Sequence, residues 1–169
     1  LYDRCNGEPL NGPNDLIFDH DGNFWFTDYC KRPRNYLDRP AIYWAKSDGS
    51  EIRQVVPHMV GPNGIGLSPD GKTLYASETQ TSRLFAWDIV APGELRKRDW
   101  PAMYGAHFLC GSDKLQGFDS LKVTQSGKIC VATLFNGGTA VTATCATPGC
   151  ARSASSTSSA EMFSPLRRI

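Results

Sequence analysis

Two asparagines and one aspartate stand at equivalent places in three copies of one sequence unit. Asn14, Asn63 and Asp119 each precede a short apolar segment, and each lies eight residues before the glycine that ends a turn. Two amide oxygens and one carboxylate that converge would form a hard, oxygen-only site, which suits Ca²⁺ better than Zn²⁺. The alternative is that each residue only closes a local Asx turn at the start of its strand.

The copies share an order of elements that predicts β-hairpins. Each has the polar residue, a short strand, a turn that ends in glycine and a second strand, over residues 12–28, 61–78 and 117–133. Glycine supplies the positive φ that a tight hairpin turn needs. The distance from residue 14 to residue 63 is 49 residues, and from 63 to 119 it is 56. The unit is therefore a repeat whose polar residues recur at one position.

Further strand-like segments follow the first two copies, so each complete unit has four strands. They are residues 41–46, 51–56, 82–88 and 94–100. A four-stranded meander at this period is typical of a β-propeller blade, and an antiparallel sandwich is the alternative. We predict an all-β fold that is part of a β-propeller, with about two and a half blades of four-stranded antiparallel sheets. The strands that begin near residues 14, 63 and 119 would be innermost, and Asp99–Gln116, which includes His107, would be a loop and a candidate lid.

Composition and charge exclude several classes of partner. The 169 residues carry 18 Lys or Arg and 17 Asp or Glu, a net charge of +1, which argues against nucleic-acid or membrane-surface binding. No apolar run is long enough to span a bilayer. The six cysteines include no C-x-x-C pair, which disfavours zinc. The chain begins at Leu1 without a signal-peptide pattern or an initiator Met, so we expect a cytoplasmic protein with reduced thiols and a start internal to a longer chain.

The composition changes after Gly137 and Gly138. Residues 139–169 hold 11 Ser or Thr and 6 Ala; Thr139 to Thr144 could be one further strand of the third blade, and nothing beyond it fits the pattern. We therefore divide the chain into a partial β-propeller, 1–138, and a low-complexity tail, 139–169, that is either disordered or read out of frame.

Three ordered motifs resemble the gluconolactonase and regucalcin family. They are residues 10–16 with 25–28, residues 61–65 with 68–72, and residues 117–121 with 134–138. The resemblance implies a six-bladed propeller with one catalytic divalent cation in its central channel, usually Ca²⁺, with other divalent cations possible. It also implies hydrolysis of sugar lactones and other small lactones, and one relative cleaves organophosphates.

The resemblance implies roles for three residues. Asn63 and Asp119 match metal-ligand positions, and Asn14 matches a position that contacts substrate in some members and metal in others. Asp119 is the best candidate for the catalytic base. The fourth ligand of the family, a Glu, falls upstream of Leu1, and a substrate-binding Arg of some members is Gly12 here, which argues against an aldonolactone. We therefore expect a metal-dependent hydrolase of small, sugar-type lactones that is truncated and inactive as an isolated chain.

Two other functions stay open on the sequence alone. The chain could be a non-catalytic propeller that serves as a binding module, or a calcium-binding regulator. Oxygen ligands at all three equivalent positions favour the enzyme over the binding module. We expect a small-molecule lactone as partner, no nucleic acid, no membrane, and self-association through exposed blade edges.

Overall fold

The computed structural model describes residues 1–31, 40–112 and 114–135, together with the backbone of two strands at 140–144 and 155–157. The described chain is all-β apart from one 3₁₀ turn, Met103–Gly105. Its strands are an N-terminal pair, β1 (Arg4–Cys5) and β2 (Glu8–Pro9); a first sheet, β3 (Pro13–Phe18), β4 (Phe24–Asp28), β5 (Ala41–Ala45) and β6 (Ile52–Val56); a second sheet, β7 (Pro62–Leu67), β8 (Thr73–Glu78), β9 (Arg83–Ala91), β10 (Glu94–Arg96) and β11 (His107–Gly111); and a third sheet, β12 (Phe118–Val123), β13 (Lys128–Thr133), β14 (Ala140–Thr144) and β15 (Ser155–Thr157).

The three sheets are consecutive antiparallel blades. The first and third have the strand orders β3-β4-β5-β6 and β12-β13-β14-β15, and the second runs from β7 outward through β8 and β9. The innermost strand β7 lies between β3 and β12. This arrangement confirms the predicted four-stranded units and the predicted innermost strands. The turn glycines Gly22, Gly71 and Gly127 have φ values of 79°, 68° and 79°, as the hairpin pattern requires.

The outer strand of the second blade differs from the sequence expectation. The strand expected over 94–100 ends at Arg96, and a second one, β11, occupies residues 107–111, within the stretch expected to be a loop. Both pair with β9, in which Ile89 faces Leu95 and Phe85 faces Phe108. Since β9 is nine residues long, its edge offers enough backbone for two short strands with an excursion, residues 97–106, between them.

Successive side chains of β8 and β9 point to opposite faces of the second blade, and each face packs against a neighbouring blade to form a core. Leu74, Phe85 and Trp87 face the first blade, where they pack with Trp25, Ile42 and Trp44. Tyr75 and Leu84 face the third blade, where they pack with Phe118, Leu121 and Ile129. A central strand with apolar side chains on both faces is buried on both, which is why these segments read as nearly continuous apolar runs.

A short N-terminal hairpin covers the other face of the first blade. Its turn, Asn6-Gly7, has positive φ at both residues, 52° and 83°, which is the geometry of a two-residue hairpin turn. The hydroxyl of Tyr2 donates to the carbonyl oxygen of Lys46 or of Glu51, at 2.8 and 2.7 Å respectively. Cys5 packs beside the stacked rings of Phe26 and Tyr43, whose centroids are 5.1 Å apart.

Within the described residues, no helix is long and apolar enough to span a bilayer. The four cysteines of that part of the chain, Cys5, Cys30, Cys110 and Cys130, form no disulfide bond with one another. Burial raises the pKa of the Cys110 thiol. Of the tail predicted over 139–169, β14 and β15 belong to the third blade, and the other residues lie outside the described part.

The outer faces of the first and third blades expose apolar side chains, from which we expect self-association. Leu16 and Phe18 on β3 are half exposed, as are Leu134 and Phe135 after β13. Patches of this kind on a soluble protein drive association. Light scattering on residues 1–169 should show species larger than a monomer, and the double change Leu16→Ser and Phe18→Ser should lower the apparent mass. A monomer at all accessible concentrations would contradict this expectation.

Candidate functional site

Asn14, Asn63 and Asp119 lie at the start of the three adjacent innermost strands, at the same end of their sheets. The side chain of Asn63 is buried, with 5% of the residue exposed, whereas Asp119 is half-buried and Asn14 is exposed. The fold therefore places the three strands side by side. Of the three polar residues, Asn63 is the least exposed to solvent and Asn14 the most exposed.

A glycine with positive φ stands two residues before each of these polar residues. Gly12, Gly61 and Gly117 have φ values of 124°, 68° and 61°, a conformation that disfavours other residues. At Gly12, a Cβ would also lie 3.2 Å from the backbone nitrogen of Lys31. An arginine at position 12, as the family resemblance would offer, would therefore strain this backbone.

A hydroxyl bridge joins the innermost strands of the first two blades. The Thr27 hydroxyl, fully buried on β4, accepts a hydrogen bond from the Asp15 amide at 3.2 Å and donates to the carbonyl oxygen of Asn63 at 2.6 Å. The carboxylate of Asp15 adds a second link, because it accepts the amide of Ile65 at 3.3 Å. Thr27 thus fixes the position of the Asn63 backbone relative to the residue after Asn14.

The second blade repeats the bridge with a serine. The Ser77 hydroxyl, fully buried on β8, accepts from the Gly64 amide at 2.9 Å and donates to the carbonyl oxygen of Asp119 at 2.7 Å. Thr27 and Ser77 are therefore equivalent, and each ties one innermost strand to the polar residue of the next. A buried hydroxyl that both accepts and donates is fully satisfied and holds its partners in one geometry.

The backbones of the second and third innermost strands approach so closely at Gly64 that no side chain fits. A Cβ at that position would collide with the backbone nitrogen of Leu121 and would lie 2.6 Å from the carbonyl oxygen of Asp119. Gly64 follows Asn63 directly in the chain. The absence of a side chain at Gly64 is thus what allows Asn63 and Asp119 to be neighbours.

A second hydroxyl orients the side chain of Asn63. The amide nitrogen Nδ2 donates to the Thr79 hydroxyl at 3.0 Å, and that hydroxyl donates to the carbonyl oxygen of Phe118 at 2.7 Å. Because the hydroxyl proton is used toward Phe118, the Thr79 oxygen can only accept from Asn63. The carbonyl oxygen Oδ1 is then the end of the side chain that remains for a ligand.

Two buried carboxylates that sequence reasoning missed bind the chain segments that precede Asn14 and Asn63. Asp28 accepts the Asn11 amide at 2.7 Å and the Cys30 amide at 3.0 Å. Glu78, at the corresponding end of β8, accepts the Val60 amide at 2.8 Å. Asn11 and Val60 each lie three residues before the polar residue of their copy. The available signal was that both acids close the second strand of their repeat.

The Glu78 carboxylate, which is fully buried, joins three segments of the second blade. Besides Val60, it accepts the Thr81 hydroxyl at 2.6 Å and contacts the Tyr104 phenol. Burial and the hydrogen bond with Glu78 raise the pKa of Tyr104. Glu78 therefore links the chain before Asn63, the turn after β8 and the excursion of the outer strand.

Glu78→Ala is expected to lower the free energy of unfolding by about 3 kcal/mol, because it removes a buried carboxylate that accepts from both the Val60 amide and the Thr81 hydroxyl. Glu78→Gln keeps the shape and one acceptor oxygen, so its loss should be about 1 kcal/mol. Urea unfolding followed by tryptophan fluorescence measures both. If the alanine variant were as stable as the glutamine variant, the carboxylate would not have the structural role assigned to it.

The side-chain oxygens of Asn14, Asn63 and Asp119 fit a hard cation and do not fit a metal that needs several acidic or sulfur ligands. Among the residues that the structure describes, no three His, Cys, Asp or Glu side chains cluster closely enough to hold a metal ion. The candidate site instead has one carboxylate and two amide oxygens, which are ligand types that Ca²⁺ accepts.

Repeated antiparallel blades that lie side by side through their innermost strands define a β-propeller architecture. The family model for the SMP-30/gluconolactonase/LRE-like region matches residues 1–147. The chain belongs to this family, as the three motifs predicted.

Individual relatives agree with this assignment. Lactonase drp35 of Staphylococcus saprophyticus is 34% identical over 80 residues, which are 47% of this chain and 24% of that protein. The diisopropyl-fluorophosphatase of Loligo vulgaris is 32% identical over 115 residues, 60% of this chain and 36% of that enzyme.

Two solved structures have folds similar to that of this chain. A gluconolactonase from Xanthomonas campestris superposes with a TM-score of 0.68 at 26% identity, over 84% of this chain and 46% of that one. The calcium-binding protein regucalcin from Agrobacterium tumefaciens gives 0.59 at 21% identity, over 77% and 41%. The chain thus spans less than half the length of these relatives.

Proposed function

We propose that this chain contributes Asn14, Asn63 and Asp119 to a divalent-cation site, for Ca²⁺ first, in a hydrolase of small lactones. The observation that carries the proposal is the pair of hydroxyl bridges: Thr27 ties the backbone directly after Asn14 to Asn63, and Ser77 ties the backbone directly after Asn63 to Asp119. The membership of the family supports lactone hydrolysis as the reaction.

The residues present fit the chemistry of that reaction. A bound divalent cation would supply polarisation of the lactone carbonyl and a more acidic water. Asn63 presents Oδ1, since its Nδ2 is held by Thr79. Asp119 is half-buried and is the proposed base that accepts the proton of the attacking water. Asn14 is exposed and is the proposed contact to the substrate.

The backbone conformation at Gly12 favours substrates that are recognised without an arginine at that position. With φ at 124° and the Lys31 backbone nitrogen 3.2 Å from where a Cβ would stand, any side chain at position 12 would be strained. We therefore expect lactones with few hydroxyl groups to be better substrates than aldonolactones. Hydrolysis of organophosphates is the second candidate, favoured by the 32% identity to the Loligo enzyme over 60% of this chain.

A lactone assay with metal removal and return tests the proposal. A longer form of the protein that includes the expected upstream Glu should hydrolyse δ-valerolactone faster than glucono-δ-lactone. EDTA should abolish the activity, and Ca²⁺ should restore it. Residues 1–169 alone should show negligible turnover, since one carboxylate gives a weak calcium site. Activity of the longer form that survives EDTA would contradict the metal-dependent reaction.

A further inference from the structure

The excursion of the outer strand, residues 97–106, is anchored against the face of the second blade that looks toward the first. The Trp87 indole donates to the carbonyl oxygen of Tyr104 at 3.1 Å, and the Tyr104 phenol contacts Glu78. The Arg98 amide donates to the carbonyl oxygen of Gly105 at 2.9 Å and closes the base of the excursion. The segment that the sequence suggested as a candidate lid is thus held to the blade through Tyr104 and closed at its own base by the hydrogen bond between Arg98 and Gly105.

A cleft of about 300 Å³ lies between this excursion and the blade. Its apolar walls include Phe85, whose ring is buried, and Phe108, which meets it edge-on with centroids 6.1 Å apart. Pro101, Ala102 and Met103 form the opposite side. A volume near the lower end of the range for small-molecule pockets, with mostly apolar walls, suits a small ligand.

Among the residues that the structure describes, Arg83 is the one charged residue that lines this cleft. Its Nη1 lies 3.2 Å from the sulfur of Met103, and within the described part of the chain no Asp or Glu forms an ion pair with it. A guanidinium group has five donors in a planar fork that matches a carboxylate. Glu78 lies opposite Arg83 in the β8–β9 register, but its carboxylate accepts from the Val60 amide and the Thr81 hydroxyl, so the guanidinium keeps donors for an anion in the cleft.

We propose that the Arg83 cleft binds small organic carboxylates that carry an apolar or aromatic body. The guanidinium would pair with the carboxylate, and Phe85 and Phe108 would cover the body of the ligand. A phosphate group is less suited, because its oxygens need more donors than one arginine among apolar walls provides.

The cleft is separate from the candidate cation site. Its residues belong to β9, β11 and the excursion, whereas Asn63 is on β7, two strands further inward. The proposal therefore stands whether or not the chain binds calcium. A titration without calcium and without lactone tests it alone.

The probe is phenylacetate, and 2-phenylethanol is its uncharged match. Isothermal calorimetry at pH 7.5, where the carboxylate is ionised, should show phenylacetate binding at least ~10-fold more tightly than the alcohol, a difference of about 1.4 kcal/mol. Arg83→Gln should weaken phenylacetate binding by the same factor and leave the alcohol unchanged. Arg98→Gln is the matched control: Arg98 contacts His107 at 3.0 Å and does not line the cleft, so phenylacetate should bind that variant as it binds the parent.

A second variant keeps the test decisive if Arg83→Gln fails to fold. Ala102→Phe changes no charge and places a large side chain in the cleft that Ala102 lines, so it should abolish binding of both probes. Equal affinity for the carboxylate and the alcohol would overturn the proposal. So would an Arg98→Gln effect as large as that of Arg83→Gln, since that result would mean a general positive field rather than a site, and so would unchanged binding to Ala102→Phe.

Discussion

The Gly64→Ala variant should be less stable than the parent by about 2–3 kcal/mol and should lose cation binding. The added methyl group would collide with the backbone of Leu121 and lie 2.6 Å from the carbonyl oxygen of Asp119. Backbone atoms cannot rotate away as a flexible side chain can, so the third blade must move outward. That movement would break the Ser77 bridge and separate Asn63 from Asp119. Chemical unfolding and a calcium titration measure the two effects.

Gly111→Ala is the matched control for this prediction. Gly111 also lies in a strand without positive φ, but the nearest atom to an added Cβ is 3.4 Å away, which is ordinary contact. The change should alter the free energy of unfolding by less than about 0.5 kcal/mol. Equal stability losses in the two variants would show that the close approach at Gly64 is not what fixes the site.

The repeat pattern was sufficient to predict the blades and the innermost strands. The eight-residue spacing from each polar residue to its turn glycine reflects a hairpin, and a hairpin is a local structure that the sequence encodes directly. The N-terminal hairpin has a strong two-residue turn signal in Asn6-Gly7. It was not predicted, because its strands of two residues each are too short to show an alternating pattern.

The split outer strand and the bridges could not be predicted in the same way. His107–Gly111 becomes a strand because β9 offers an unpaired edge there, which depends on the length of another element. Thr27 and Ser77 look like ordinary polar residues near strand ends. Their role arises only when the next blade packs beside them, so the information lies in contacts between residues 36 and 42 positions apart.

Replacement of Asp119 is expected to have the largest effect on function. Asp119→Asn keeps the shape of the side chain and removes the one carboxylate among the three candidate ligands. Calcium affinity depends on the number of charged ligands, so we expect binding at least ~10-fold weaker. Loss of the proposed base should lower turnover by about 100-fold or more. The Ser77 bridge contacts the backbone of Asp119, so stability should change little.

The most direct test of the whole account is calorimetric Ca²⁺ binding together with lactone hydrolysis, on a longer form of the protein that includes the expected upstream Glu. The parent, Asp119→Asn and Asp21→Asn should be compared, because Asp21 is an exposed acid in a hairpin turn and gives the same change of charge away from the site. The account predicts that Asp21→Asn behaves as the parent, whereas Asp119→Asn loses both binding and turnover. An Asp119→Asn variant that binds Ca²⁺ and hydrolyses lactone like the parent would contradict the assignment of the site.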